Sequence, residues 1–140
     1  MLVNPSDLVA RAKATITECS VRDAHECMDA DTLIIDIREQ ADYRRGHIPG
    51  AVHLSRGLLE FHLHKVVEQS RTDLNIPQEE QTIVLYCGTG GRSSLAAKTV
   101  EELGYKKVKS IDGGIVAWAQ AQLPIVVPDQ GLETCHTTGA

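Results

Sequence analysis

The sequence predicts an α/β fold of three layers, in which a central and mainly parallel sheet is flanked by helices. Short aliphatic segments alternate along the chain with stretches of helical pattern, which is typical of strands joined by crossover helices. The segments Leu33-Ile34-Ile35-Asp36-Ile37 and Ile83-Val84-Leu85-Tyr86 are apolar on both faces, as central parallel strands are. In such sheets the functional loops lie beyond the carboxyl ends of the strands. Asp36 and Arg38 lie at one of these ends, and Cys87 follows another.

In the first half of the chain, the pattern predicts two helices before the first strand. Residues 4–18 carry apolar side chains near helical spacing, and Asn4 or Ser6 can cap this helix. Residues 20–27 form a shorter helix, whose first residues resemble a capping sequence. The next predicted elements are a strand, a helical turn and a brief strand, at residues 33–37, 39–45 and 52–54.

The second half of the chain continues the alternation of helix and strand. A helix over residues 57–69 and a polar segment precede the strand that ends at the cysteine. The following helix, residues 93–103, has an apolar face and is followed by a glycine, which is favoured just after a helix. A strand over residues 108–111 leads through Asp112-Gly113-Gly114 into a last helix. We therefore divide the chain into an N-terminal helical extension, one central domain and a polar tail, at residues 1–19, 20–127 and 128–140.

Composition and charge narrow the function classes. The chain has 140 residues, of which 42% are hydrophobic and 24% are charged, which fits one soluble domain. Its net charge is −5 and its basic residues form no block, so we expect no nucleic-acid partner. Its apolar runs are too short to cross a membrane and it begins without a signal-peptide pattern, so we expect a cytoplasmic protein with no membrane partner. Its four cysteines have neither CxxC nor zinc-site spacing and are expected to be free thiols without a metal, including Cys135 in the tail.

A cysteine at the start of a glycine-rich loop is the most informative chemical feature of the sequence. The strand that ends at Tyr86 leads into Cys87-Gly88-Thr89-Gly90-Gly91, and Arg92-Ser93 open the next helix. Three glycines in four residues let backbone N–H groups point inward and form an anion-binding nest. The helix adds its own N-terminal N–H groups and the positive end of its dipole. Because a thiol held there ionises more easily and the thiolate is the reactive form, Cys87 is predicted to be a nucleophile.

Charged residues near this loop have alternative roles. An acidic protein needs local positive charge to attract an anion, and Arg92 can supply it at the start of the helix. Alternatively, Arg92 pairs with Asp36 or Glu39 and fixes the loop; both roles stay open at this point. For Asp36 and Arg38 themselves, a plain ion pair is favoured over a direct part in the chemistry, so they are taken as supporting residues.

Several segments, in this order and at this spacing, resemble a single-domain rhodanese, a member of the sulfurtransferase family. They are Ile35-Asp36-Ile37-Arg38-Glu39, Tyr43 with Gly46-His47-Ile48-Pro49-Gly50-Ala51, the loop from Cys87 to Ser93, and Asp112-Gly113-Gly114 with Trp118. The resemblance implies a rhodanese-like fold and a persulfide formed on Cys87, with no metal and no organic cofactor. The residues that would hold the transferred sulfur are those of the loop, namely Gly88, Thr89, Gly90, Gly91, Arg92 and Ser93.

The reaction that the resemblance implies begins with a small anionic sulfur donor such as thiosulfate. The thiolate takes the outer sulfur and sulfite leaves, which needs no general acid because sulfite is already a stable anion. The sulfur then passes to a thiol or to cyanide. A related alternative is a sulfur carrier or regulatory module whose partner is a sulfur-relay protein, since such a module would use the same residues.

A cysteine phosphatase or arsenate reductase is the rival enzyme class, because it also cradles an anion between a cysteine and an arginine. Those loops resemble Cys-x5-Arg and are usually preceded by histidine. Here four residues separate Cys87 from Arg92, and Tyr86 stands in the histidine position. A shorter loop gives a tighter cradle, and cleavage of a phosphate monoester also requires an acid for the leaving alkoxide. We therefore rank this class below the sulfurtransferases.

Overall fold

A computed structural model describes residues 1–128 and shows a five-stranded sheet with helices on both faces. The strands are Thr17–Cys19 (β1), Thr32–Asp36 (β2), Val52–His53 (β3), Thr82–Tyr86 (β4) and Lys107–Ile111 (β5). The helices are Pro5–Lys13 (α1), Val21–Cys27 (α2), Gln40–Arg45 (α3), Leu59–Ser70 (α4), Gly91–Glu102 (α5) and Gly114–Gln120 (α6), with 3-10 turns at Arg56–Leu58 and Gln78–Glu80. All neighbouring strands are parallel, in the order β1-β5-β4-β2-β3. The predicted α/β fold class is confirmed.

The two central strands, β2 and β4, are buried on both faces, which explains their unbroken apolar sequence. Alternate residues point to opposite faces of a strand, so each strand contributes to two cores. One core packs α4 and α5 against the sheet and includes Ile35, Leu85, Leu63, Val67 and Val100. The other packs α2 and α6 against the opposite face and includes Ile34, Val84, Ile111, Ala24 and Trp118. Because both cores pack against β2 and β4, they fix the position of the carboxyl end of β4.

The N-terminal segment differs from its prediction. Asn4 caps α1 by accepting a hydrogen bond from the Ser6 amide, but the helix ends at Lys13 instead of continuing to residue 18. Residues Thr17–Cys19 form β1, which pairs with β5 from Thr17 opposite Lys109 to Cys19 opposite Ile111. The open edge of β5 offers backbone partners that no local pattern in a three-residue strand reveals. The helical prediction for residues 14–18 is therefore wrong, and the division of the chain at residue 20 stays a prediction.

The other predicted elements are present with shifted ends. Ser20 caps α2 by accepting a hydrogen bond from the Asp23 amide. The helix after the cysteine begins at Gly91, two residues before its predicted start, and includes most of the predicted range. The predicted tail, apart from Pro128, and its Cys135 lie outside the described residues. Within residues 1–128, no helix is both long enough and apolar enough to span a membrane.

Candidate active site

Cys87 lies at the carboxyl end of β4, where the chain leaves the sheet. It directly follows Tyr86, and its side chain is almost fully buried. The loop then turns through Gly90, which precedes α5 with a φ of +101°. A methyl group on Gly90 would lie 3.2 Å from the Gly113 nitrogen and 3.4 Å from the Ile111 oxygen. Only glycine combines this left-handed backbone with such close packing, so Gly90 sets the tight curl of the loop around the sulfur.

Two backbone amides donate to the Cys87 sulfur, and the Ser93 hydroxyl, which accepts from the thiol and can donate to the thiolate, lies beside them. The Gly90 amide lies 3.1 Å from Sγ, the Ser93 amide 3.4 Å and the Ser93 hydroxyl oxygen 3.5 Å. Burial by itself raises the pKa of Cys87, but hydrogen bonds from the Ser93 hydroxyl and from the Ser93, Gly90 and Thr89 amides outweigh it. The pKa of the Cys87 thiol is therefore held below its ordinary value. The loop favours the thiolate, which is the reactive form.

Ser93 is itself held by a buried residue that sequence reasoning missed. Its hydroxyl lies 2.8 Å from the hydroxyl of Ser110 on β5, and both side chains are fully buried. The contact joins the first turn of α5 to the neighbouring strand, and when Ser110 is its donor the Ser93 proton is free to point to the Cys87 sulfur. In the sequence, this contact is signalled only by Ser110 itself, a hydroxyl residue directly before Ile111 at the end of β5.

The Gly113-Gly114 pair brings α6 against the backbone of the cysteine loop. The Ile115 amide donates to the Cys87 carbonyl at 3.0 Å, and the Val116 amide donates to the Gly88 carbonyl at 3.0 Å. A methyl group on Gly114 would lie 2.5 Å from each of these carbonyl oxygens. Gly114 therefore does more than allow a tight turn, because it permits the start of α6 to come close enough to hydrogen-bond the backbone of the cysteine loop.

Asp36 and Arg38 form a buried ion pair beside the site. Arg38 Nη2 lies 2.7 Å from Asp36 Oδ2 and also donates to the Gly46 carbonyl at 2.7 Å. The Tyr86 hydroxyl donates to Asp36 Oδ2 at 2.7 Å and accepts from the Ile48 amide at 3.1 Å. Burial, followed by the charge of Asp36, raises the pKa of Tyr86 and keeps it a donor. The pair and Tyr86 thus tie the ends of β2 and β4 to the turn that contains Gly46 and Ile48.

Arg92 and Thr89 lie on the exposed side of the loop. A methyl group on Gly88 would lie 3.5 Å from Arg92 Nη2, so the guanidinium group extends over the start of the loop. Among residues 1–128, Arg92 forms no ion pair, and the carboxylate of Asp36 is occupied by Arg38. Within these residues, Arg92 therefore does not fix the loop through an ion pair with Asp36 or Glu39. In the same residues, no three His, Cys, Asp or Glu side chains gather as metal ligands.

Comparison with known proteins identifies relatives in sequence. The model of the rhodanese-like domain family matches residues 20–121. A protein named sulfurtransferase from Allochromatium vinosum is 33% identical over 99 residues, which cover 71% of this chain and 82% of that protein. YrkF of Bacillus subtilis, named as a sulfur carrier protein, is 34% identical over 107 residues. The match covers 75% of this chain and 52% of YrkF, so the chain spans about half the length of that relative.

Solved structures give the same fold. A Rhodopseudomonas palustris protein, named as a protein of unknown function and a possible tyrosine phosphatase, has a TM-score of 0.73 and 34% identity. The superposition covers 89% of this chain and 96% of that one. The polysulfide-sulfur transferase of Wolinella succinogenes has a TM-score of 0.66 and 30% identity, over 86% of this chain and 85% of that one. With the family model matching most of its length and the cysteine loop at the carboxyl end of β4, this chain belongs to the rhodanese-like domain family.

Proposed function

We propose that the chain is a sulfurtransferase that carries sulfur as a persulfide on Cys87. The observation that supports this most is the set of donors around Sγ, because one amide at 3.1 Å and one amide and a hydroxyl at 3.4–3.5 Å favour a sulfur anion. The donor is a small anion such as thiosulfate, and the acceptor is a thiol or cyanide. A sulfur anion is present both before loading, as the thiolate, and after it, as the persulfide.

The two half-reactions need only the groups of the loop. In the first, the Cys87 thiolate attacks the outer sulfur of thiosulfate, the S–S bond of thiosulfate breaks, and its electron pair leaves with sulfite. Amides of the loop can donate to the new terminal sulfur, and charged hydrogen bonds of this kind are the stronger ones. In the second, an acceptor thiolate attacks the terminal sulfur, and the bond to Sγ breaks to restore the Cys87 thiolate. No proton has to be delivered to either leaving group.

Phosphate monoester cleavage fits this site less well. Its leaving alkoxide needs an acid, and Asp36, which ends the neighbouring strand β2, is fully buried and bound to Arg38 and Tyr86. The reference to tyrosine phosphatase in the name of the Rhodopseudomonas palustris protein nevertheless makes a phosphatase assay part of the test.

The identity of donor and acceptor belongs to the proposal as well. The relative named as a sulfur carrier and the polysulfide-sulfur transferase support a role in which the acceptor is a sulfur-relay protein. Polysulfide is then an alternative donor to thiosulfate, because both offer a terminal sulfur with an anionic leaving group. A cytoplasmic location fits the free thiols of Cys19, Cys27 and Cys87.

Intact-protein mass spectrometry tests the first half-reaction. The reduced protein is measured before and after incubation with thiosulfate or polysulfide. We expect the wild type to gain one sulfur atom that cyanide or a thiol removes, and Cys87→Ser to gain none. Cys27→Ser is the matched control, because Cys27 is an exposed thiol on α2, and it should load like the wild type. A wild type that gains no sulfur from either donor, but hydrolyses p-nitrophenyl phosphate through Cys87, would place the chain among the phosphatases.

A further inference from the structure

A lysine from the N-terminal helix lies against the cysteine loop. A methyl group on Gly90 would lie 3.8 Å from Lys13 Nζ, and one on Gly91 would lie 3.8 Å from a methyl carbon of Val9. Helix α1 also packs along α5, the helix that follows the cysteine loop. Lys13 and Val9 both precede residue 20, where the match to the family model starts. The contact therefore lies outside the segment that the family model matches.

Lys13 joins two carboxylates at this position. Its Nζ lies 2.7 Å from Glu18 Oε2 on β1 and 3.7 Å from Asp112 Oδ1 in the turn between β5 and α6. The hydrogen bond to Glu18 raises the pKa of Lys13, so the amine stays protonated. Glu18 and Lys13 are about two-thirds or more shielded from solvent, whereas Asp112 is mostly exposed. Without the lysine, two negative charges would stand side by side near the loop.

The distance from this cluster to the reactive sulfur is short. Gly90 donates its amide to Cys87 Sγ at 3.1 Å, and the same residue faces Lys13. Standard backbone geometry then places Lys13 Nζ less than about 10 Å from Sγ. That separation is comparable to the screening length of physiological salt, so the charge acts on the sulfur. The charged groups around the loop are Lys13 on α1, Glu18 on β1, Asp112 before α6, Arg92 on α5, and the Asp36–Arg38 pair beside β2.

We propose that Lys13 is a positioning residue for the reaction at Cys87, because it neutralises Glu18 and Asp112 beside the loop. Its charge keeps the local potential favourable for the thiolate and for an approaching anion. The role in binding an anionic sulfur donor rests on the proposed function, whereas the role in thiolate reactivity does not. Lys13 touches neither sulfur nor donor and acts through the field at the loop.

Alkylation of Cys87 by two reagents of different charge tests this inference without sulfur chemistry. Iodoacetate is an anion and iodoacetamide is neutral, and peptide mass spectrometry reports their rates at Cys87 separately from the other cysteines. We expect Lys13→Met to lower the ratio of the iodoacetate rate to the iodoacetamide rate about two- to tenfold, as for one unit charge at this distance. The midpoint of the pH–rate profile with iodoacetamide should also move to higher pH. For thiosulfate, KM should rise and kcat should change little.

Matched variants separate charge from structure. Arg11→Met removes the same charge from the exposed side of the last turn of α1 and should leave the ratio unchanged. Lys13→Arg should preserve the ratio, and Asp112→Asn added to Lys13→Met should restore much of it. Asp112→Asn alone should raise the ratio, which tests the inference even if Lys13→Met fails to fold.

Each outcome decides a different point. If Lys13→Met changes neither the ratio nor the midpoint of the pH–rate profile, or Asp112→Asn leaves both unchanged, the electrostatic role of Lys13 is refuted. If the ratios change as expected but thiosulfate and polysulfide never load the wild type, the inference about Lys13 stands and the proposed sulfur transfer fails.

Discussion

Replacing Ser93 with alanine removes the hydroxyl that can donate to the Cys87 thiolate and leaves the two amides in place. A hydrogen bond to an ionised group is worth about 1.5–3 kcal/mol, and about 1.4 kcal/mol corresponds to a tenfold change in an equilibrium. Because the hydroxyl lies 3.5 Å from Sγ and two donors remain, we expect the lower end of that range. Below the pKa of the thiol, the thiolate fraction should therefore fall about tenfold.

The assay is the rate of Cys87 alkylation by iodoacetamide as a function of pH. The native environment lowers the pKa of Cys87, so the wild type should keep its reactivity to lower pH than Ser93→Ala. The variant's midpoint should lie at higher pH, and the two rates should converge once both thiols are ionised. Ser94→Ala is the control, because Ser94 is buried in the same turn and its hydroxyl donates to the Gly91 carbonyl. An unchanged midpoint in Ser93→Ala would refute the assignment of this hydroxyl as a thiolate donor.

Two further predictions concern stability. Gly114→Ala should lower the free energy of unfolding in urea by more than Gly50→Ala, since both glycines have positive φ, at +57° and +81°, but only Gly114 faces carbonyl oxygens at 2.5 Å. The shared backbone penalty is about 1–2 kcal/mol, and equal losses would contradict the close approach of α6. Asp36→Ala should lower the free energy of unfolding by about 3–5 kcal/mol because it leaves the buried Arg38 unpaired. Asp42→Ala, which breaks a surface pair, should lower it by less than about 1 kcal/mol. Similar losses in these two variants would show that the buried pair does not hold the turn.

Much of the fold was predictable because its signals are local. A short segment that is apolar on both faces is typical of a buried strand, and the central strands β2 and β4 lie where such segments occur. The cap at Ser20 was visible for the same reason, since a hydroxyl reaches an amide three residues later in one turn. The prediction failed at β1, a three-residue edge strand that exists because β5 offers an unpaired edge next to it.

The candidate site was predictable in part. The glycine spacing after Cys87 implied that backbone amides would surround the sulfur, and the Gly90 and Ser93 amides do so. The sequence did not reveal which side chain completes the set. Ser93 is held by Ser110, which is 17 residues away in the chain and comes close only because β5 lies beside β4.

By itself, the sequence determined most of the elements and the position of the cysteine loop, because hydrophobic period, helix caps and glycine conformation act over a few neighbouring positions. The tertiary structure alone decided the order of the strands and the partners of each polar group. Asp36 binds Arg38 and Tyr86 and leaves Arg92 without that partner, and Lys13 at the end of α1 meets Asp112 in the turn after β5. These contacts depend on which elements pack together. That packing depends on how apolar residues from distant parts of the sequence are buried, so no local pattern predicts it.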